Sequence, residues 1–118
     1  MRVLVDSTFP ASTEGPQPRG HHIHRYDGGS VSDADLIELA KREGFEAIVF
    51  LGSDALADPR LGEAGALQGI LVAASASDDS AEAEVAIKAN LGALAAHVGF
   101  EAPVIIRKTG VVRSVPTD

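Results

Sequence analysis

The stretch AIVFLGSD, residues 47–54, decides the class of fold. Its first five residues are continuously apolar, and such a run is typical of a strand buried on both faces, as in a parallel sheet. Asp54 follows this run, and Asp6 directly follows the apolar residues 3–5. Ligands of open α/β sheets bind in the crevice beyond the carboxyl ends of the strands. The two strand ends therefore predict a site at that edge of the sheet.

Short β-type runs alternate with helical patterns along the chain, which indicates an α/β fold. The pattern predicts strands over residues 2–5, 21–26, 47–51, 70–73, 104–107 and 111–115. The last two strands are expected to form a hairpin that turns at Thr109-Gly110.

Two helices have clear signals at their ends. Ser32 is a predicted N-cap with Asp35 in the position of a capping box, and Gly44 ends that helix. The second helix is predicted as one continuous element over about residues 81–98, closed by Gly99, because its apolar residues follow helical spacing.

Two further segments have weak helical signals. Asp58 and Pro59 suit the start of a helix, but three glycines predict that this helix is short: Gly62, Gly65 and Gly69. Residues 7–20 contain three prolines and therefore predict a loop. The loop is long for a compact domain, and loops of this length are often functional or mobile.

Length and composition indicate one globular domain over residues 1–118. The chain is 45% hydrophobic and 23% charged, as in ordinary globular proteins. Its apolar stretches all fall well short of the ~20 residues that a membrane span requires. Asp6 follows only three apolar residues, which is unlike a secretory signal peptide. We therefore expect a cytoplasmic protein that does not enter the membrane.

Charge and cysteine content exclude several kinds of site. The chain has no cysteine, which excludes disulfides, thiolate zinc sites and a cysteine nucleophile. Its net charge of −7 argues against nucleic-acid binding by the whole surface. A local basic rim stays open, because scattered cations are available for it, among them Arg25, Arg107 and Lys108.

The acidic residues at the predicted strand and helix ends carry the strongest chemical signal. Asp6 and Asp54 follow strands, and Asp33 opens the helix between them. Carboxylates that meet at one edge repel each other, and a bound Mg²⁺ or Mn²⁺ relieves that repulsion and can position an attacking water. Aspartate also initiates turns and stabilises the first turn of a helix without any further role. Both interpretations stay open for these three residues.

Three histidines lie close together at positions 21, 22 and 24. On a strand, His22 and His24 share one face while His21 points the other way. Two imidazoles on one face could bind a transition metal, but no further histidine or cysteine lies nearby in sequence. Structural or surface roles are therefore favoured for these histidines.

The order of motifs resembles that of the short single-domain PIN-like proteins. The resemblance rests on four stretches: LVDSTFP (residues 4–10), GHHIHRYDGGSVSDADLIELAKREG (20–44), AIVFLGSDALADPRL (47–61) and KANLGALAAHVGFEAPVIIRKTGVVRSV (88–115). Together they cover nearly the whole chain.

The resemblance implies a Rossmann-like three-layer α/β/α sandwich with a mainly parallel central sheet and a C-terminal hairpin. It also implies a metal-dependent endoribonuclease that hydrolyses RNA phosphodiesters at an acidic Mg²⁺ or Mn²⁺ cluster. Asp6, Asp33 and Asp54 match the family's acidic positions and would be both its metal ligands and its catalytic residues. Many relatives are toxins of toxin–antitoxin pairs, which implies an antitoxin-like protein partner, and homodimerisation stays open.

Three departures from the family pattern define a second hypothesis. Ser7 and Thr8 replace the usual Glu-Asn, and no second aspartate stands two residues beyond Asp54. The proline-rich residues 7–20 replace a helix. These changes favour the alternative of a catalytically weakened PIN-like domain that binds protein or RNA. A third hypothesis, a phosphoacceptor receiver-like domain, is disfavoured because no acid pair precedes Asp54 and Lys108 is only a loose match for the lysine partner.

Overall fold

The structure is a computed structural model that describes residues 1–29, 31–99 and 103–113. Its strands are β1 (Arg2–Val5), β2 (Gly15–Pro16), β3 (His22–Arg25), β4 (Ala47–Phe50), β5 (Leu71–Ser75), β6 (Val104–Arg107) and β7 (Gly110–Arg113). Its α-helices are α1 (Asp33–Arg42), α2 (Pro59–Gln68), α3 (Ser80–Ala89) and α4 (Leu91–Ala95). Short 3-10 helices cover Ala11–Thr13, Pro18–Gly20 and Ser53–Ala57. The predicted α/β class is confirmed.

The seven strands form one mostly parallel sheet in the order β2-β3-β1-β4-β5-β6-β7. The five central strands are parallel, whereas β2 and β7 run antiparallel at the two edges. Counted along the chain, the parallel strands are ordered 2-1-3-4-5, which is the flavodoxin-like doubly wound order. The chain leaves β1 toward β3 and later returns to β4 on its other side. The junction between β1 and β4 is therefore the topological switch point.

Helices cover both faces of this sheet. Val3 and Val5 of β1 pack into a cluster with Leu91 of α4 and with residues of α3, while Leu4 packs into a second cluster with Ile37 of α1 and with Leu61 of α2. Successive side chains of a strand point to opposite faces, so the two clusters are the two sides of the sheet. This arrangement is compatible with a three-layer α/β sandwich.

Helix α2 is longer than the sequence predicted. It spans Pro59–Gln68, as many residues as α1, and Asp58 caps it by accepting a hydrogen bond from the Arg60 N–H. Two of the three glycines that suggested a short helix serve packing, whereas Gly69 ends the helix as its C-cap. A Cβ at Gly65 would lie 2.4 Å from Cγ2 of Val72, so glycine at this position lets the helix approach β5 closely.

The predicted continuous helix over residues 81–98 is wrong, because the helix breaks at Asn90. The Asn90 side-chain amide donates to the Ala86 carbonyl at 2.8 Å, and its backbone N–H bonds to Ile87 instead. In an unbroken helix that N–H would donate to Ala86. The side chain therefore competes with the backbone for the same acceptor, and α3 and α4 form as two helices.

The C-terminal hairpin is confirmed in the part of the chain that the structure describes. β6 and β7 pair antiparallel, with Ile106 opposite Val111. The predicted turn at Thr109-Gly110 is displaced by one residue: Arg107 pairs with Gly110, so the hairpin turns at Lys108 and Thr109. The predicted last strand extended over residues 111–115; the described strand begins at Gly110, and residues 114 and 115 lie outside the described residues. Ser75 lies beyond the strand predicted over residues 70–73 and is the buried last residue of β5.

Residues 6–21 connect β1 to β3 without an α-helix and cover the face on which α3 and α4 lie. Phe9 is 1% exposed and packs into the cluster of that face. Arg25 at the end of β3 holds the segment, because its Nε donates to the Phe9 carbonyl at 2.6 Å and its Nη2 donates to the Ser7 carbonyl at 2.7 Å. The segment thus takes the place of the first crossover helix.

Glu84 of α3 anchors the middle of the same segment. Its Oε1 accepts hydrogen bonds from the hydroxyls of Ser12 at 2.5 Å and of Thr13 at 2.9 Å, and Lys88 donates to the Ser12 carbonyl at 2.9 Å. Thr13 is fully buried. The Ser12 hydroxyl, more than any other group, lowers the pKa of Glu84 below its usual value of 4.5. The ionised form of Glu84 is thus the form that anchors the segment 6–21.

We expect Glu84→Ala to lower the free energy of unfolding by about 1–3 kcal/mol, because it leaves the buried Thr13 hydroxyl without an acceptor. Urea titration measures this change. Glu63→Ala, which removes an exposed glutamate of α2, is the matched control and should change stability by less than about 0.5 kcal/mol.

The Glu84 effect should also depend on pH. The folded-state pKa of Glu84 lies below its unfolded value, so its contribution is complete above that unfolded value and is lost as the pH falls through the folded-state pKa. The difference between wild type and Glu84→Ala should therefore shrink in acid. A difference that stays constant through the acid range would contradict the assignment of this anchor.

Candidate functional site at the strand switch point

Asp6 lies at the switch point, immediately beyond β1. Its Oδ1 accepts hydrogen bonds from the backbone N–H of Thr8 at 3.0 Å and from the Thr8 hydroxyl. Its Oδ2 accepts a hydrogen bond from the Leu51 N–H, just beyond β4, at 3.3 Å. The carboxylate therefore spans the crevice between the ends of β1 and β4. The sequence prediction placed Asp6 at this edge, and the structure agrees.

Asp33, the first residue of α1, lies within electrostatic reach of Asp6. The residue is exposed as a whole, yet its carboxyl group loses part of its hydration. This partial burial, followed by the negative charge of Asp6, raises the pKa of Asp33 above its usual 3.8. The structure thus brings together two of the three predicted acids, and we call Asp6 and Asp33 the acid pair.

Asp54 does not join the acid pair in this structure. It lies in the 3-10 helix after β4, is exposed, and accepts no hydrogen bond from any described residue. Across residues 1–29, 31–99 and 103–113, no three or more His, Cys, Asp or Glu side chains are grouped to hold a metal ion. A role for Asp54 stays a prediction of the sequence.

The sequence analysis missed two features of the crevice. The buried Ser75 hydroxyl accepts a hydrogen bond from the Gly52 N–H at 2.8 Å and donates to the Ser77 carbonyl at 2.8 Å, which joins the ends of β4 and β5. Gly52 has φ +84°, and a Cβ there would lie 2.3 Å from an Asp78 oxygen. The Asp78 carboxylate therefore lies next to the backbone just beyond β4. A glycine at the end of an apolar run could have signalled this close approach.

Two cationic residues lie at the carboxyl end of β6. A cavity of about 110 Å³ opens beyond β5 and β6, and Arg107, Lys108 and Glu82 are among its lining residues. The Arg107 and Lys108 side chains form no ion pair or hydrogen bond with the other described residues. They are available to a ligand, whereas Arg25 is occupied by the loop carbonyls.

The acid pair fits one mode of divalent-cation binding. Mg²⁺ is commonly held by one or two carboxylates together with substrate phosphates and water, rather than by a complete cage of protein ligands. Asp6 and Asp33 supply two hard oxygen donors whose mutual repulsion a cation would relieve. The donor set therefore suits Mg²⁺ or Mn²⁺ when the substrate completes the coordination.

Comparison with known proteins adds no family to this picture. No protein-family model matches the chain, and neither the curated proteins nor the solved structures provide a significant match. The fold and the acid pair define an α/β protein with an acidic switch-point site. Among its described helices, none is long and apolar enough to cross a membrane.

We expect the pKa of Asp33 to fall in the Asp6→Asn variant, because the substitution removes the neighbouring charge that helps to raise it. The pKa should remain somewhat above its usual value, since partial burial is the larger cause. Carboxyl ¹³C NMR across a pH titration measures it. Asp54→Asn is the control and should leave the Asp33 titration unchanged. An unchanged Asp33 pKa in Asp6→Asn would contradict the acid pair.

Proposed function

We propose that the protein is a metal-dependent endoribonuclease of PIN-like type, with Asp6 and Asp33 as its central residues. The observation that supports this proposal most strongly is the position of the Asp6 carboxylate between the ends of β1 and β4, with Asp33 near enough for the charge of Asp6 to help raise its pKa. The resemblance of the motif order to PIN-like proteins supplies RNA as the substrate. Asp54, the third acid of that motif order, belongs to the proposal as an additional ligand.

The described residues suggest how the chain would contribute to phosphodiester hydrolysis. Thr8 and Leu51 fix the orientation of the Asp6 carboxylate through three hydrogen bonds. Asp33, whose pKa is raised, is suited to accept a proton from an attacking water. A divalent cation at the acid pair would lower the pKa of water and offset the charge that develops on the phosphate.

The rim of cations fits an anionic substrate. Arg107 and Lys108 at the end of β6 are the cations available at the carboxyl edge, and neighbouring strands of a sheet lie about 4.8 Å apart. Three strand spacings separate β1 from β6. An RNA strand that crosses the edge would place one phosphate at the acid pair and another near these cations. A cytoplasmic location and an antitoxin-like partner complete the proposal.

A second candidate function is an inactive PIN-like domain that binds RNA or a protein. Two observations favour it: Asp54 does not join the acid pair, and the segment 6–21 replaces the first crossover helix. In this alternative Asp6 has a structural role, since its carboxylate accepts a hydrogen bond from the Leu51 N–H that joins the ends of β1 and β4. Metal-dependent cleavage separates the two candidates.

RNA cleavage is expected to require Mg²⁺ or Mn²⁺ and to be abolished by chelation. Asp6→Asn and Asp33→Asn should each reduce the rate by about 100-fold or more, the usual effect of removing an acid–base group. Denaturing gels with a mixed-sequence RNA measure the rate, and circular dichroism verifies that each variant folds.

Asp35→Asn provides the matched control, because Asp35 also lies in the exposed first turn of α1. Its activity should equal that of the wild type. Loss of activity in Asp54→Asn would add the third acid to the site, whereas retention would restrict the site to the acid pair. RNA binding without cleavage by the metal-loaded wild type would reject the nuclease in favour of the inactive module.

A further inference from the structure

The histidines of β3 form an arrangement that the acid pair does not use. The imidazole rings of His22 and His24 lie on one face of the strand, with centroids 4.2 Å apart and ring planes at 25°. Both residues are half-buried, so part of each remains accessible to solvent. We propose that His22 and His24 form a chelating site for a transition-metal ion such as Zn²⁺, Ni²⁺ or Cu²⁺.

This histidine pair is separate from the acid pair. His22 stands opposite Arg2, the first residue of β1, whereas Asp6 follows the last residue of β1. His24 stands opposite Leu4, so the histidine pair lies within the span of the sheet, whereas Asp6 lies beyond the carboxyl edge of the sheet. The two sites would bind different ions, because imidazole suits Zn²⁺, Ni²⁺ and Cu²⁺ while carboxylate suits Mg²⁺ and Mn²⁺.

The strand geometry favours chelation by both rings. Side chains at positions i and i+2 of a strand project from the same face, and the χ2 torsion of histidine is broad. A rotation of the two rings can therefore turn one nitrogen of each toward a common point.

One ring of the pair also packs against an aromatic neighbour, and charges of both signs lie nearby. His24 packs edge-on against Phe45, with centroids 5.1 Å apart. The Arg2 guanidinium lies 4.6 Å from the centre of the same Phe45 ring and donates to the Glu43 carbonyl at 2.7 Å. The positive charge of Arg2 opposes a bound cation at this site, and the negative charge of Glu14 favours one.

Two protein ligands leave the remaining coordination positions to water. Within the described ranges, no third His, Cys, Asp or Glu joins the pair at metal-binding distance. The site is thus open, which is the arrangement that leaves positions for an exchangeable ligand. An open site with two ligands binds less tightly than a closed structural site, so its affinity depends strongly on each histidine.

Competition of the full chain, without a histidine tag, against a chromophoric chelator for Zn²⁺ tests the proposal at neutral pH. We expect one ion per chain at this site. His22→Gln and His24→Gln should each weaken binding by about tenfold or more, because either change removes one of two imidazole ligands. Arg2→Met should strengthen it, because the opposing charge is removed. Circular dichroism verifies that each variant folds.

His21→Gln and His97→Gln are the matched controls, since His21 lies on the opposite side of β3 from the pair and His97 lies beyond α4. Both should bind Zn²⁺ as the wild type does. Binding lost in His21→Gln, binding equal in all variants, or no Zn²⁺ binding by the wild type would each overturn the proposal. The electron paramagnetic resonance spectrum of bound Cu²⁺ should further show coupling to two imidazole nitrogens. Asp6→Asn should leave Zn²⁺ binding unchanged, so this result is independent of the nuclease proposal.

Discussion

Burial of the parallel sheet on both faces is the constraint on which the rest of the structure depends. All residues of β4 and β5 are buried, and a sheet of this kind requires a cover on each side. Helices α1 and α2 provide one cover. On the other side the cover consists of α3, α4 and the segment 6–21. Phe9 of this segment packs into the apolar cluster, and Glu84 of α3 accepts hydrogen bonds from the hydroxyls of the segment. Polar chemistry is thereby restricted to the ends of the strands.

Much of the fold could be predicted because its signals are local. The apolar run at residues 47–51, the Ser32 cap and the apolar runs of the C-terminal hairpin each identify an element from a few neighbouring residues, and all three elements are present in the structure. The predictions of helix length were wrong where contacts between residues distant in sequence determine the structure. Gly65 permits close packing against β5, and the Asn90 side chain bonds to both Ala86 and Arg107. Neither contact can be recognised from sequence spacing.

The candidate site was predicted in part for the same reason. The position of Asp6 could be predicted from the rule that the ends of parallel strands face the crevice. Asp33 lies near it because Asp33 begins α1, the helix that follows β3. The position of Asp54 depends on the path of the backbone after β4, and a 3-10 helix over Ser53–Ala57 sets that path. The Gly52–Asp78 contact and the Ser75 hydrogen bonds join residues from different loops. These residues lie close together because β4 and β5 are neighbours in the sheet. The order of the strands could not be predicted from the sequence.

The central claim is that the acid pair at the switch point binds a divalent cation. Titration of the ¹⁵N-labelled protein with Mn²⁺ tests it directly, because the paramagnetic ion broadens the resonances of nearby amides. We expect broadening to begin at the amides around Asp6 and Asp33, with those of Leu51 and Gly52 affected next. Broadening that is centred elsewhere, or that is absent at millimolar Mn²⁺, would contradict the claim.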